Sequence, residues 1–298
     1  MIALKGILAP AVTPFGSAGE LDLDAFASNV EAHLAAGVCG IVVTGSTGEA
    51  ALLDEGERSA LIERARKTVP SDRTLLIGTG AESTRATIAR TIAAARLGAD
   101  GVLVVAPHYY GDAMTPEALL AHYTRIADES PIPVLLYTIP KYMHFAISPE
   151  VVAQLAQHQN IIGMKDSSGD AALFARYLES QSDAFRVLTG SGVLFGEALR
   201  MGAYGGILAV SLFAPELSFD VWNARARSDA DTAERVQAVL TPLAAKIVGA
   251  MGVAGVKAAL DRVGLHGGAP RPPLRPLAAP AGALLDELLR AAELAPVA

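Results

Sequence analysis

At 298 residues, 51% of them hydrophobic, the chain is long enough for one large domain with a well-buried core; this argues against disorder and makes an α/β barrel the common single-domain solution. A net charge of −7, with no basic stripe and no run of like charges, speaks against a reader of phosphate backbones, and no nucleic-acid partner is expected. Cys39 is the only cysteine, which rules out an intrachain disulfide and a thiolate zinc cluster and fits a reducing compartment, the cytoplasm by default.

The first apolar run, "GILAPAV" at 6–12, is too short for a secretory h-region or a bilayer span and reads as a strand, with a helix beginning near Asp24. "CGIVVTG" at 39–45 precedes a helix around 55–67, "TLLIGTG" at 74–80 one from about 83, and "GVLVVAP" at 101–107 one from about 116. "PVLLYTI" at 133–139, "IIGMK" at 161–165, "FRVLTG" at 185–190 and "YGGILAV" at 204–210 follow, each trailed by a stretch of helical period. Continuous apolar strands alternating with helices predict a parallel sheet covered on its outer face. Eight such units predict an α/β fold, a (β/α)8 TIM barrel over residues 1–225, with a doubly wound sheet as the competing arrangement. From 226 to 298 the strand signal stops. Helices separated by the rigid "HGGAPRPPLRPLAAP" at 266–280 predict a C-terminal helical extension, which either caps the barrel or regulates it.

In a barrel of this kind chemistry belongs at the C-terminal ends of the strands. Lys165 ends an apolar run in a chain that is only 18% charged. Such a lysine is paired with an acid (Asp166 is adjacent), snorkelled to water, or used neutral as a nucleophile on a carbonyl. Tyr137 ends the preceding strand, about 4.8 Å away across the sheet, and its phenol either lines the barrel or serves the lysine as proton donor and acceptor. "GSTGE" at 45–49 offers the hydroxyls of Ser46 and Thr47 and successive backbone N–H groups around Gly48. That composition suits either a carboxylate cradle or a plain capped turn. It is not a P-loop, since no Gly-Lys-Ser/Thr follows. "GTGAES" at 78–83 is not a dinucleotide fingerprint, since Ser83 stands where the third glycine belongs. Six scattered histidines and one cysteine provide no evident metal site, and no cofactor is expected.

A glycine-flanked Ser-Thr turn after strand two, a Tyr-Tyr pair after strand four, Tyr-x-x-Pro after strand five and Gly-x-Lys after strand six together resemble the dihydrodipicolinate synthase/N-acetylneuraminate lyase family of pyruvate-dependent class I aldolases. The resemblance runs from "TPF" at 13–15 to the C-terminal helices. It implies Lys165 as Schiff-base lysine, Tyr137 as proton-shuttling phenol, and Ser46 and Thr47 as binders of the keto-acid carboxylate. It also implies Tyr109, rather than Tyr110, as a tyrosine lent across a dimer interface to complete a hydroxyl relay with Ser46 and Tyr137. Groups near Gly190 and Ile207 would complete the pocket floor, with Ser167 ordering the surroundings of the lysine. A homodimer or a dimer-of-dimers tetramer follows from the same resemblance, with pyruvate and an aldehyde as small-molecule partners and no membrane.

Within the family, dihydrodipicolinate synthases place an arginine five residues after the strand-five tyrosine. This chain has Tyr142, one neutral donor where a guanidinium offers a charged fork. "NIIGMKDSSGD" at 160–170 and "GVKAALDRVGLHGGAPRPPL" at 255–274 look most like 4-hydroxy-2-oxoglutarate aldolase, with Thr47 departing from an asparagine in that turn. The expected reaction is therefore cleavage of 4-hydroxy-2-oxoglutarate to pyruvate and glyoxylate. Condensation of pyruvate with aspartate semialdehyde is the alternative, and a keto-acid-binding barrel without turnover is the reading of another class.

Overall fold

All eight apolar runs become strands in the computed structural model, which describes Ile2 and residues 4–294. They are β1 (Gly6–Pro10), β2 (Gly40–Val43), β3 (Thr74–Gly78), β4 (Gly101–Val105), β5 (Val134–Thr138), β6 (Ile161–Asp166), β7 (Arg186–Thr189) and β8 (Gly205–Ile207). Each pairs in parallel with its sequence neighbours, and β8 returns to β1, so the sheet closes into a (β/α)8 barrel rather than a doubly wound sheet. Closure explains why the strands read as unbroken apolar runs: side chains meet either the barrel interior or the helix layer. The seam needs a bare backbone, because a Cβ on Gly205 would lie 2.1 Å from the Gly6 carbonyl oxygen. Several strands stop two or three residues before the apolar run does. Their last residues leave the ladder to form the rim loops.

Polar caps set the helix starts. Asp22 caps α1 (Leu23–Ala35), Asp54 and Glu57 form a capping box on α2 (Glu55–Thr68), and Ser83 caps α3 (Thr84–Arg96). Thr115 followed by Pro116 starts α4 (Pro116–Glu129). The four-residue α5 (Pro140–Met143) comes directly after β5, then α6 (Pro149–Leu155), α7 (Ala171–Leu178), α8 (Phe195–Met201) and α9 (Pro215–Ala226) complete the ring.

Beyond α9 the chain runs through α10 (Ala230–Pro242), a π-helical segment at Leu243–Ala250, α11 (Gly252–Arg262) and α12 (Ala279–Ala291). The winding widens immediately after Pro242, a residue with no N–H to give to the α-helical ladder. Val236, Leu240, Leu243, Ile247, Leu260 and Leu285 belong to the same buried cluster as the strand residues. Among the described residues no helix is long and apolar enough to cross a membrane.

A buried ion pair ties this extension to the barrel. Lys257 on α11 and Glu49, at the end of the turn after β2, both have fully buried side chains, with Nζ 2.8 Å from Oε1. The ammonium's other two donations go to the carbonyls of Thr13 and Ala269, each at 2.9 Å. Burial pushes the Lys257 pKa down from its ordinary value, against the pull of the Glu49 carboxylate. The second Glu49 oxygen accepts the Arg271 backbone N–H at 2.8 Å, and the Arg271 guanidinium grips both oxygens of Glu57 at 2.6 Å. The Phe15 ring presents its face to both cations, 4.6 Å from Lys257 Nζ and 4.2 Å from the Arg271 guanidinium carbon.

Removing one partner of such a pair strands a buried charge, which costs about 3–5 kcal/mol. Lys257→Met should therefore lower the midpoint of chemical denaturation markedly. Arg64→Ala, which breaks the exposed Arg64–Asp24 pair, should leave the midpoint almost unmoved. Equal shifts in the two variants would show that the buried pair has no special weight.

Candidate active site

Lys165 is the penultimate residue of β6, and its Cα partner across the ladder is Tyr137 of β5. Both side chains therefore project to the same face, and Lys165 Nζ sits 4.5 Å from the centroid of the Tyr137 ring. The amine is 7% exposed, and among the described residues no carboxylate pairs with it. The adjacent Asp166 does not do so. Strand alternation turns it to the other face, where its two oxygens accept the Ser168 N–H at 2.9 Å and the Ser168 hydroxyl at 2.8 Å. Burial pushes the Asp166 carboxyl up to about 6, opposed by these two hydrogen bonds.

The turn after β2 is held from several sides. The Gly48 N–H donates to the Gly45 carbonyl at 3.0 Å, which places Ser46 and Thr47 at the two central positions of a turn. Among the described residues neither of those two central N–H groups has a partner within the chain, so both remain available to an anion. The residues flanking the turn, Thr44 and Glu49, have φ of +52° and +57°, a left-handed conformation that costs energy for any residue with a Cβ. Thr44 is fixed there by its hydroxyl on the Gly78 carbonyl at 2.9 Å, Glu49 by Lys257, and Gly48 by the Thr13 hydroxyl on its carbonyl at 2.7 Å.

Lys165, Tyr137, Ser46, Thr47, Ser167, Gly190 and Ile207 all line one cleft of about 210 Å³ at the C-terminal rim of the barrel. Gly190 is required for it: a Cβ there would fall 2.0 Å from Ser167 Oγ and 2.6 Å from Lys165 Cε. Two expected residues lie elsewhere. Gly48 does not line the cleft but forms the tight corner beneath the turn, where a Cβ would stand 3.0 Å from the Ala11 carbonyl oxygen. Tyr109 is 77% exposed, packed edge-on to Tyr110 with ring centroids 5.0 Å apart, and the single chain does not carry it to Lys165. Its backbone N–H and that of His108 are both held by one Glu82 oxygen at 2.9 Å, which fixes the outward course of this loop.

Sequence reasoning missed the far wall of the cleft. Ala244, Ala245, Val248 and Gly249 of the π-helical segment and Val253 and Val256 of α11 face the barrel mouth, so the extension lines the site as well as packing on it. The small residues in "LAAKIVGAMGVAG" at 243–255 were the available signal. Lys141 and Tyr142 on α5 also line the cleft. Burial and the neighbouring Tyr137 push the Tyr142 pKa up, so this side chain is a neutral phenol at physiological pH. Tyr142, Tyr137, Ile139 and Ser46 are shared with an adjoining, more apolar hollow of about 620 Å³. Among the described residues no group of three or more His, Cys, Asp or Glu side chains is placed to hold a metal ion.

A barrel that gathers a lysine without an acid partner, a phenol and a turn with unpartnered N–H groups at its C-terminal rim has the layout of an enzyme that works on a carbonyl through an amine. Residues 3–292 match the dihydrodipicolinate synthetase family. A 4-hydroxy-tetrahydrodipicolinate synthase from Exiguobacterium sp. is 35% identical over 280 residues, 94% of this chain and 95% of that one. Its counterpart from Xanthomonas axonopodis pv. citri is 41% identical over 214 residues, 72% of this chain and 70% of its own. Among solved structures, a dihydrodipicolinate synthase from Bacillus anthracis superposes with a TM-score of 0.93 at 30% identity, over 97% of this chain and 99% of that one. The chloride-inhibited dihydrodipicolinate synthase of Acinetobacter baumannii, complexed with pyruvate, gives 0.93 at 30% identity over 98% and 100%. The chain belongs to the dihydrodipicolinate synthetase family and is a lyase, a pyruvate-dependent class I aldolase.

Gly190→Ala tests the packing at the lysine directly. Displacing Lys165 Cε by an ångström should lower turnover by roughly 100-fold while the far-ultraviolet circular dichroism stays that of the wild type. Activity within a few-fold of wild type would mean that the lysine does not need this space.

Proposed function

We propose that Lys165 forms a Schiff base with C2 of pyruvate, and that the resulting enamine is joined to, or released from, a small aldehyde. The observation that carries this reading is the unpaired Lys165 amine held 4.5 Å from the Tyr137 ring, in the same cleft as the Ser46–Thr47 turn. The pyruvate carboxylate takes the two available N–H groups and the hydroxyls of that turn. The amine attacks C2, and the Tyr137 phenol protonates the carbinolamine oxygen so that water leaves. The iminium then draws electrons from C3: proton loss gives the enamine that attacks an aldehyde, while in the other direction the C3–C4 bond of a 4-hydroxy-2-oxo acid breaks. Cleavage releases the aldehyde and leaves the enamine, which is protonated at C3 to the iminium; hydrolysis of the iminium then frees Lys165 and returns pyruvate, or in the other direction the condensed product, with no metal or nucleotide needed. The pyruvate complex of the Acinetobacter baumannii relative supports the first substrate.

For the aldehyde, the names of the relatives support aspartate semialdehyde, the reaction of a 4-hydroxy-tetrahydrodipicolinate synthase. Tyr142 supports a second reading, cleavage of 4-hydroxy-2-oxoglutarate to pyruvate and glyoxylate, because a neutral phenol stands where the synthases are expected to carry a guanidinium. A dimer, alone or doubled to a tetramer, is proposed from the exposed Tyr109 and Tyr110, since paired aromatics are costly to leave in water and suit an interface. Tyr109 would then complete the neighbouring site. Cytoplasm is the compartment proposed.

Borohydride reduction in the presence of pyruvate should attach a stable adduct to Lys165 alone, read by peptide mass spectrometry. Lys165→Ala should abolish labelling and turnover, whereas Tyr137→Phe should slow turnover by roughly 100-fold or more and still label slowly. Labelling without turnover of either substrate would favour the binding-only barrel. On the first reading kcat/KM with aspartate semialdehyde exceeds that for 4-hydroxy-2-oxoglutarate cleavage; the reverse order, with Tyr142→Arg raising the synthase rate, supports the second. Lys165→Ala and Tyr109→Phe chains, each weak alone, should regain activity when coassembled, because one site of each mixed dimer then holds both native residues. Failure of verified heterodimers to recover activity removes the shared tyrosine.

A further inference from the structure

We infer that Lys257 and Glu49 are positioning residues for carboxylate recognition: their buried pair holds the Ser46–Thr47 turn with its two N–H groups free for an anion, and so makes the enzyme select 2-oxo acids over neutral ketones of the same shape. The inference rests on the Schiff-base reading of Lys165. It goes beyond that reading by assigning the selectivity to two residues that do not line the cleft.

Two attachments of the turn lead to one ammonium. Within the turn, the Gly45 carbonyl accepts the N–H groups of Gly48 at 3.0 Å and Ala50 at 3.3 Å, and the Ser46 carbonyl accepts that of Glu49 at 3.2 Å. These bonds satisfy the carbonyls and leave the Ser46 and Thr47 N–H groups without a partner among the described residues, which is how successive peptides come to bind an anion. The conformation lasts only if the residues that follow are held. Lys257 Nζ donates to Glu49 Oε1 at 2.8 Å and to the Thr13 carbonyl at 2.9 Å, while the Thr13 hydroxyl donates to the Gly48 carbonyl at 2.7 Å. Gly48 and Glu49, the two residues directly after Thr47, are thus tied to the same ammonium, one through Thr13 and one without an intermediary.

Geometry and charge both carry the effect to the substrate. Glu49 has φ of +57°, a left-handed backbone that a residue with a Cβ leaves unless it is held, and its return to ordinary backbone would swing the preceding peptides and re-aim their N–H groups. The Glu49 carboxylate also lies only three residues from Ser46, in a chain whose cleft lining holds no aspartate or glutamate among the described residues. Left unpaired, that buried charge would repel an incoming carboxylate; Lys257 cancels it and leaves the N–H dipoles to act in a medium of low dielectric. Hydrogen bonds to a carboxylate are about twice as strong as those to a neutral amide, so a correctly aimed turn separates the two and a slack one does not.

Trapping at Lys165 tests this without requiring turnover. Protein is reduced with borohydride over a range of pyruvate and of pyruvamide, its neutral isostere, and labelling of the Lys165 peptide is followed by mass spectrometry. In the wild type the half-saturating concentration should be lower for pyruvate by about tenfold or more. The double variant Lys257→Met with Glu49→Gln, which leaves no unpaired buried charge, should narrow that ratio to about threefold or less by weakening pyruvate while pyruvamide stays within about twofold. Arg262→Ala, which breaks the half-exposed Arg262–Asp286 pair between α11 and α12, loosens the extension without touching the turn and should keep the wild-type ratio. Should the double variant not fold, Glu49→Gln alone is read in the same way and should narrow the ratio by about threefold. An undiminished ratio in the variant read, or parallel weakening of pyruvate and pyruvamide, overturns the inference, because a merely structural pair would affect both ligands alike. If pyruvate fails to label Lys165 in the wild type, the aldolase reading fails first and this inference falls with it; normal pyruvate labelling with a wild-type ratio near one sinks this inference alone.

Discussion

The turn that faces Lys165 depends on a lysine 208 residues farther along the chain. Lys257 and Glu49 form a fully buried pair, and around it converge the loop after β1 through Thr13 and Phe15, the turn after β2, and the extension through Ala269 and Arg271. Two charges taken out of water are stabilising only when the geometry is good and the remaining valences are filled. Here three acceptors meet the three ammonium hydrogens, and both carboxylate oxygens are used. An apolar pair of the same volume could fill the space, but it could not hold Glu49 at φ +57° or fix the Thr13 carbonyl.

The consequence reaches the site because strain and support coincide there. Thr44 and Glu49, both in left-handed backbone, bracket the two residues whose N–H groups are left for a ligand. Unpaired backbone donors at a rim are tolerable because a substrate or water satisfies them, whereas the same groups inside the barrel would cost about 1–3 kcal/mol each. The extension thus does more than cover the barrel mouth. Its α11 anchors the turn from behind through Lys257, while Val253 and Val256 on the same helix line the cleft.

Lys165 shows the complementary economy. Its neighbour Asp166, one residue away, is prevented by strand alternation from neutralising it, and Ser168 occupies that carboxylate instead. Gly190 on the adjacent strand end leaves room for the lysine stem, and Tyr137 lies across the ladder at the same level. Register, pleat and one missing Cβ together present the amine to the cleft.

Much of this was legible in the order of residues. Local apolar runs and caps such as Asp54 with Glu57 determine strands and helices through short-range physics, and eight repeats of one pattern favoured a closed barrel over a doubly wound sheet; Lys165, Tyr137, Ser46 and Thr47 stood out at the strand ends, whereas Gly190 and Ile207 came only with the family resemblance, and the folded chain sets all six on one cleft. Gly48, read as a ligand contact, stands outside the lining of the cleft at a tight corner, where a Cβ would meet the Ala11 carbonyl oxygen. The roles of Lys257, Arg271 and the π-helical wall were not legible, since a pair 208 residues apart leaves no periodic signal and Ala, Gly and Val look the same on a capping helix as on a substrate wall. The sequence by itself determined the barrel and the residues at the ends of its strands, because those follow from local pattern; the tertiary structure decided which distant charges are buried together and which are left facing the substrate, because that depends on contacts the chain makes only after it has closed.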